Sequence, residues 1–154
     1  LQPDDIDIVI NTHLHDDHCG NNLLLTNAKF FAHEKEVAFC NNPHPLDHRY
    51  DNYFIEGLDF TYLEDGQSVL PGIEVIHSPG HTPGCLSVKI ETAQGLTVIT
   101  GFCCNRENFP ENGPAVCPGV HTDAVAAWDS IQKVKEMDCS IITMHDPGLK
   151  SIGK

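Results

Sequence analysis

The chain has 154 residues, 40% of them hydrophobic, and 22 acidic against 9 basic side chains give a formal charge of −13 with histidine neutral. A field this negative repels phosphate backbones, and no Lys/Arg cluster reverses it locally, so a nucleic-acid partner is not expected. No apolar run approaches the roughly 20 residues that cross a bilayer, and no basic-then-apolar signal segment opens the chain, so a membrane role is not expected either and small molecules become the expected partners.

Along the chain, Ile6 to Thr12 (IDIVINT) is a β-branched run suited to a buried strand, and it delivers His13 at its end. Asn21 or Asn22 is placed to cap a short helix through Leu25; Lys29 to Ala32 reads as a strand and Glu34 to Cys40 as a helix. The stretch 41–57, rich in turn formers and aromatics, has no clean period and predicts a surface loop or lid. From Phe60 to Thr100 alternating runs broken by Asp65-Gly66, Pro71-Gly72 and Gln94-Gly95 predict several antiparallel strands. Thr122 or Asp123 caps a predicted helix from Ala124 to Met137, with Val125, Trp128, Ile131 and Val134 on its apolar face. Ser140 to Met144 is the last predicted strand and leads into His145. The whole reads as one mixed α/β domain with histidines at strand ends. Leu1 is not an initiator methionine, and the expectation is a domain incomplete at its N-terminus.

Seven cysteines, an odd number without the spacing of a disulfide framework, fit a reducing cytoplasm. Ten histidines are the more unusual count. Thr12 to Gly20 contains H-x-H-x-D-H, three imidazoles and a carboxylate within six residues. Residues two apart on an extended segment share a face, so His13 and His15 can grip one ion, while a turn beginning at Asp16 aims Asp17 and His18 at a neighbouring position. The pattern therefore predicts two adjacent metal sites.

This motif resembles the signature of the metallo-β-lactamase-fold hydrolases, T-H-x-H-x-D-H-x-G. His77-Ser78-Pro79-Gly80-His81-Thr82-Pro83-Gly84 resembles the family's second motif and Met144-His145-Asp146-Pro147 its closing one, in family order. The similarity is greatest to the N-acyl homoserine lactonase-like branch. The resemblance implies an αβ/βα four-layer sandwich lacking its leading β-segment, with a sheet edge left open for self-association into a homo-oligomer. It also implies that His13, His15 and His81 hold one metal, and Asp17, His18 and His145 a second. His77 is then a supporting histidine, while His44 and His48 sit on the lid surface and Asp16 occupies the motif's variable position.

One departure stands out. Where the family has Gly-Asp, whose carboxylate bridges the two metals, this chain has Gly101-Phe102-Cys103-Cys104. Either Cys103 supplies a thiolate to the second metal or nothing replaces the bridge. The lactonase-like tyrosine after that aspartate is also missing; Cys104, Asn105 and Arg106 stand there. His121, just before the capped helix, is a further candidate ligand, substrate donor or proton carrier.

The donor set suits zinc, with manganese or iron also compatible. The implied activity is hydrolysis of an ester, lactone, thioester or amide by a metal-bound hydroxide, with Asp17 orienting or shuttling the proton. The alternative is a non-hydrolytic metal-binding or thiol/redox-sensing relative with an incomplete dinuclear site.

Overall fold

Eight short strands, in a computed structural model that describes residues 1–146, form two sheets whose ends carry the histidines. The first sheet is parallel, in the order β1 (Ile8–Ile10), β2 (Lys29–Ala32), β3 (Phe60–Tyr62), with Val9 opposite Phe30 and Phe30 opposite Phe60. The second runs β4 (Ser68–Leu70), β5 (Ile73–His77), β6 (Leu86–Thr92), β7 (Gly95–Ile99), β8 (Ser140–Ile142), antiparallel except for the β7–β8 pair. The expected antiparallel run from Phe60 therefore divides. β3 leaves it to pair with β2, and the Leu63 amide continues that pairing by donating to the Ala32 carbonyl at 3.0 Å.

Successive strand residues face opposite ways, and β2 uses this to serve two cores. Phe31 points between the sheets, where Leu63, Val75 and Leu86 form a buried cluster with Ile10 and Val69. Phe30 meets Phe60 at 6.0 Å between ring centroids, and Phe60 belongs to an outer cluster of Leu14, Cys19, Cys40 and Ile55. That cluster lies under α1 (Asp16–Cys19), α2 (Glu34–Asn41) and the irregular segment 42–51. On the far side, α3 (Ala124–Lys135) covers the five-stranded sheet through Ile131 and Val134, packed with Ile76, Val98, Phe102 and Ile141. The layers are thus helix, sheet, sheet, helix.

Asp123 caps α3 by accepting from the Val125 and Ala126 amides, both at 3.0 Å. The buried face of α3 is Ala127, Ser130, Ile131 and Val134, which corrects the expected stripe: Val125 is 72% exposed and Trp128 38%. The reason is close approach. Ser130 Oγ donates to the Pro79 carbonyl at 2.7 Å, and Gly80 lies so near the Ala127 backbone that a Cβ there would collide with it. Only small side chains fit the helix face that meets this turn. Among the described residues, no helix is long and apolar enough to cross a membrane.

Candidate metal centre

β1 ends three residues before His13, and the segment after it is stitched across both sheets. The Asn11 amide donates to the Phe31 carbonyl and the Thr12 carbonyl accepts from the Leu86 amide, each at 2.8 Å. His13 and His15 then lie on extended backbone. His15 occupies the N-cap position of α1, and its carbonyl accepts from the Cys19 amide, so the first turn presents Asp17 and His18. His81 belongs to the turn between β5 and β6. The Gly80 carbonyl in that turn accepts from the Thr122 and Asp123 amides, which joins it to the start of α3.

Two groups of three donors result. The metal-capable atoms of His13, His15 and His81 lie within 4.8 Å of one another, as do those of Asp17, His18 and His145. The groups adjoin, with the His13 and His18 rings 4.1 Å apart. In the second group His18 Nε2 stands 3.3 Å from His145 Nε2 and 3.3 Å from Asp17 Oδ2.

Ring orientation tests whether an ion fits. Ligating histidines usually spend the other ring nitrogen on a carbonyl or carboxylate, which fixes tautomer and direction. His81 Nδ1–H donates to the Val120 carbonyl at 2.8 Å, leaving Nε2. His15 Nε2 faces Asp47 Oδ2 at 3.4 Å, leaving Nδ1. His13 Nδ1 meets the Thr12 hydroxyl at 3.3 Å, and His13 Nε2 is a buried polar atom with no hydrogen-bond partner. A buried nitrogen without a partner is costly unless a ligand uses it. The residues present fit a divalent cation.

Electrostatics points the same way. Burial holds His13 well below the ordinary imidazole range, with His18 adding to the effect, and lowers His15 and His81 to about 4. Burial also lowers His18. Neutral imidazole is the form that ligates.

The structure does not bring Cys103 or His121 into either group. Phe102 is drawn into the α3 core at 1% exposure, and Cys103 beside it is left half-buried on a cavity of about 280 Å³ that also touches His145, Asn105, Val116 and Val120. His121 is turned outward: its Nδ1–H donates to the Pro118 carbonyl at 2.7 Å, and the residue lines a separate cleft with His44 and Arg49. His77 stacks on His33 at 4.2 Å and bonds the Pro83 carbonyl at 3.1 Å, supporting the His81 turn. His44, His48 and Asp16 lie toward solvent. Pro147, the end of the closing motif, lies outside the described residues.

Sequence reasoning missed the supports of the first group. Asp47, in the lid, faces His15 and is gripped by Arg49 through Nε and Nη2, both at 2.8 Å; burial opposes its charge, but these bonds hold the carboxyl below its usual range. The Arg49 carbonyl accepts from the Asp16 amide at 2.8 Å. Tyr50 lies edge-on to His15, and Glu36 is fully buried beneath. No sequence signal marked Glu36, which stands in the charged run Glu34-Lys35-Glu36.

A model of the metallo-beta-lactamase superfamily matches residues 1–142, and the chain belongs to that superfamily. Within it the chain is of the lactonase-like branch. It is 33% identical over 146 residues to a "Probable metallo-hydrolase" of Methanocaldococcus jannaschii, covering 95% of this chain and 60% of that one. An N-acyl homoserine lactonase of Bacillus thuringiensis is 30% identical over 140 residues, covering 88% and 52%. A solved N-acyl homoserine lactone hydrolase with N-hexanoyl-L-homoserine at its catalytic metal centre superposes with a TM-score of 0.78 at 28% identity, covering 99% of this chain and 64% of that one. The chain thus spans between 52% and 60% of the length of these two curated relatives.

Proposed function

We propose that this chain carries the metal centre of a hydrolase acting on an ester, lactone, thioester or amide carbonyl. The observation that carries the reading is the pairing of two adjacent three-donor groups with a buried, partnerless His13 Nε2. His13, His15 and His81 would hold one ion and Asp17, His18 and His145 another, with zinc the first choice for such nitrogen and carboxylate donors. A divalent ion bound there supplies Lewis-acid polarisation of the carbonyl and an acidified water.

The chain's own residues supply the rest. Asp17, 55% exposed at its side chain and 3.3 Å from His18, stands at the mouth, where its carboxylate can accept a proton and pass it to the departing group. The cavity beside His145 and Cys103 gives the acyl or leaving portion a place next to the second group. Lactones are the first substrates to test, because relatives in this branch are named for them. The thiol-sensing alternative draws less support: burial raises both the Cys103 and Cys104 thiols, which leaves little reactive thiolate. Among the described residues β1 and β3 are the outer strands of their sheet, and such edges can pair with a second copy, a point that light scattering tests.

The deciding experiment is metal content per chain by inductively coupled plasma mass spectrometry, followed by a hydrolysis panel of lactones, thioesters and aryl esters on the same protein. Bound zinc with chelator-sensitive turnover is the expected result. A chain that takes up no metal from zinc-supplemented buffer would sink the proposal.

A further inference from the structure

Glu36 sits in the first turn of α2 and is 0% exposed. Burial pushes its carboxyl upward while four donors pull against that rise. A buried carboxylate is costly unless its lone pairs are used, and here they are. Oε1 accepts from the Leu14 amide at 2.9 Å and the Tyr50 hydroxyl at 2.8 Å. Oε2 accepts from the Thr82 hydroxyl at 2.6 Å and the Gly84 amide at 3.2 Å.

The donors are not a random set. Leu14 separates His13 from His15, Thr82 follows His81, and Gly84 closes the His81 turn. Tyr50 comes from the lid, and its ring lies 4.6 Å from that of His15. One carboxylate therefore ties together the three segments that surround the buried histidines. Gly84 permits the approach: a Cβ there would collide with the backbone of Glu36 itself.

We propose that Glu36 is the positioning residue of the three-histidine group, fixing the His13–His15 segment against the His81 turn and making the lid segment 47–50 part of the metal site. The inference rests on the proposed metal centre. It requires a carboxylate in particular. A glutamine offers one oxygen and one NH₂, so whichever way it sits, either the Leu14 or the Gly84 amide faces another donor; the two hydroxyls can rotate to accept, the amides cannot.

The test compares zinc affinity, by competition with a chromogenic chelator, in the wild type and Glu36→Gln, together with amide hydrogen exchange on the metal-free proteins. The variant is expected to keep its far-ultraviolet circular dichroism, to bind zinc about 10- to 100-fold more weakly, as losses of outer supports typically do, and to exchange faster at Leu14 or Gly84. Val134→Ala, in the α3 core, serves as the control that lowers thermal stability and leaves zinc affinity within about twofold. Zinc binding by Glu36→Gln within about twofold of wild type overturns the positioning role. Should that variant not fold, Tyr50→Phe and Thr82→Val each remove one donor, and unchanged affinity in both overturns it as well. A wild type that binds no zinc overturns the proposed metal centre and this inference with it, whatever the exchange rates.

Discussion

His13, His15 and His81 are at most 2% exposed and each has one ring nitrogen set against the protein, whereas Asp17, His18 and His145 stand at the mouth and touch chiefly one another. The protein's own contacts orient the first group. Its imidazoles are already desolvated and oriented, and Asp47 and Glu36 brace it. The second has a side chain 55% exposed at Asp17 and 40% at His145, and Phe102, buried in the α3 core, offers it no donor. Preorganisation belongs to one group and adaptability to the other, so the two ions should bind with different strength.

Acid should expose that contrast most strongly. In the metal-free chain His15 and His81 titrate at about 4 against 6.5 when unfolded, so between those values the unfolded state holds more protons and stability rises with pH. The stability is fully present above 6.5 and lost as pH falls through 4, a change on the order of a few kcal/mol for the pair. Thermal unfolding of chelator-treated protein from about pH 7 to 4 measures it, and a flat midpoint across that window would contradict the buried neutral imidazoles. His13→Ala comes next: it should weaken the tighter equivalent of zinc by more than about 100-fold, beyond what loss of an outer support does. Competition titration reads this directly, and equal weakening of both equivalents would dissolve the distinction. Asp17→Asn should be smaller, weakening only the second equivalent by about tenfold, while Cys103→Ala should move either by less than about threefold. Isothermal titration calorimetry separates the equivalents. A fall to one ion in Cys103→Ala would return the thiolate to the second group.

The sequence made the two three-residue groups legible because residue types able to hold a metal stand at close spacing, and H-x-H-x-D-H compresses four of them into six positions. Strands were equally readable, β1 from the β-branched run around Ile8–Ile10 and β2 from the paired Phe30 and Phe31. What was hidden depends on the third dimension. Glu36 lies in EKEVAF, which reads as a solvated turn of helix until the loops of Leu14 and Gly84 are seen to close over it. Asp47 and Tyr50 come from a stretch without a period. The α3 stripe went wrong because periodicity weighs size as apolarity, while the face meeting Gly80 needed smallness, and Ala127 and Ser130 filled it at the expense of Val125 and Trp128. The parallel pairing of β3 was hidden because local pattern does not say which sheet a strand joins.

The turn that bears His81 is held at Gly80 against the α3 backbone and at Gly84 against that of α2, with no room for a methyl group at either end. Mutational freedom in this protein is thereby partitioned. Two glycines outside both donor groups should tolerate change as poorly as the histidine between them, and altered selectivity would have to arise at the rim, at outward-facing loop residues such as His44 and Leu46 and around the hollow by Cys103, where side chains can be exchanged without disturbing the contacts of Asp47 and Tyr50 with His15 and Glu36.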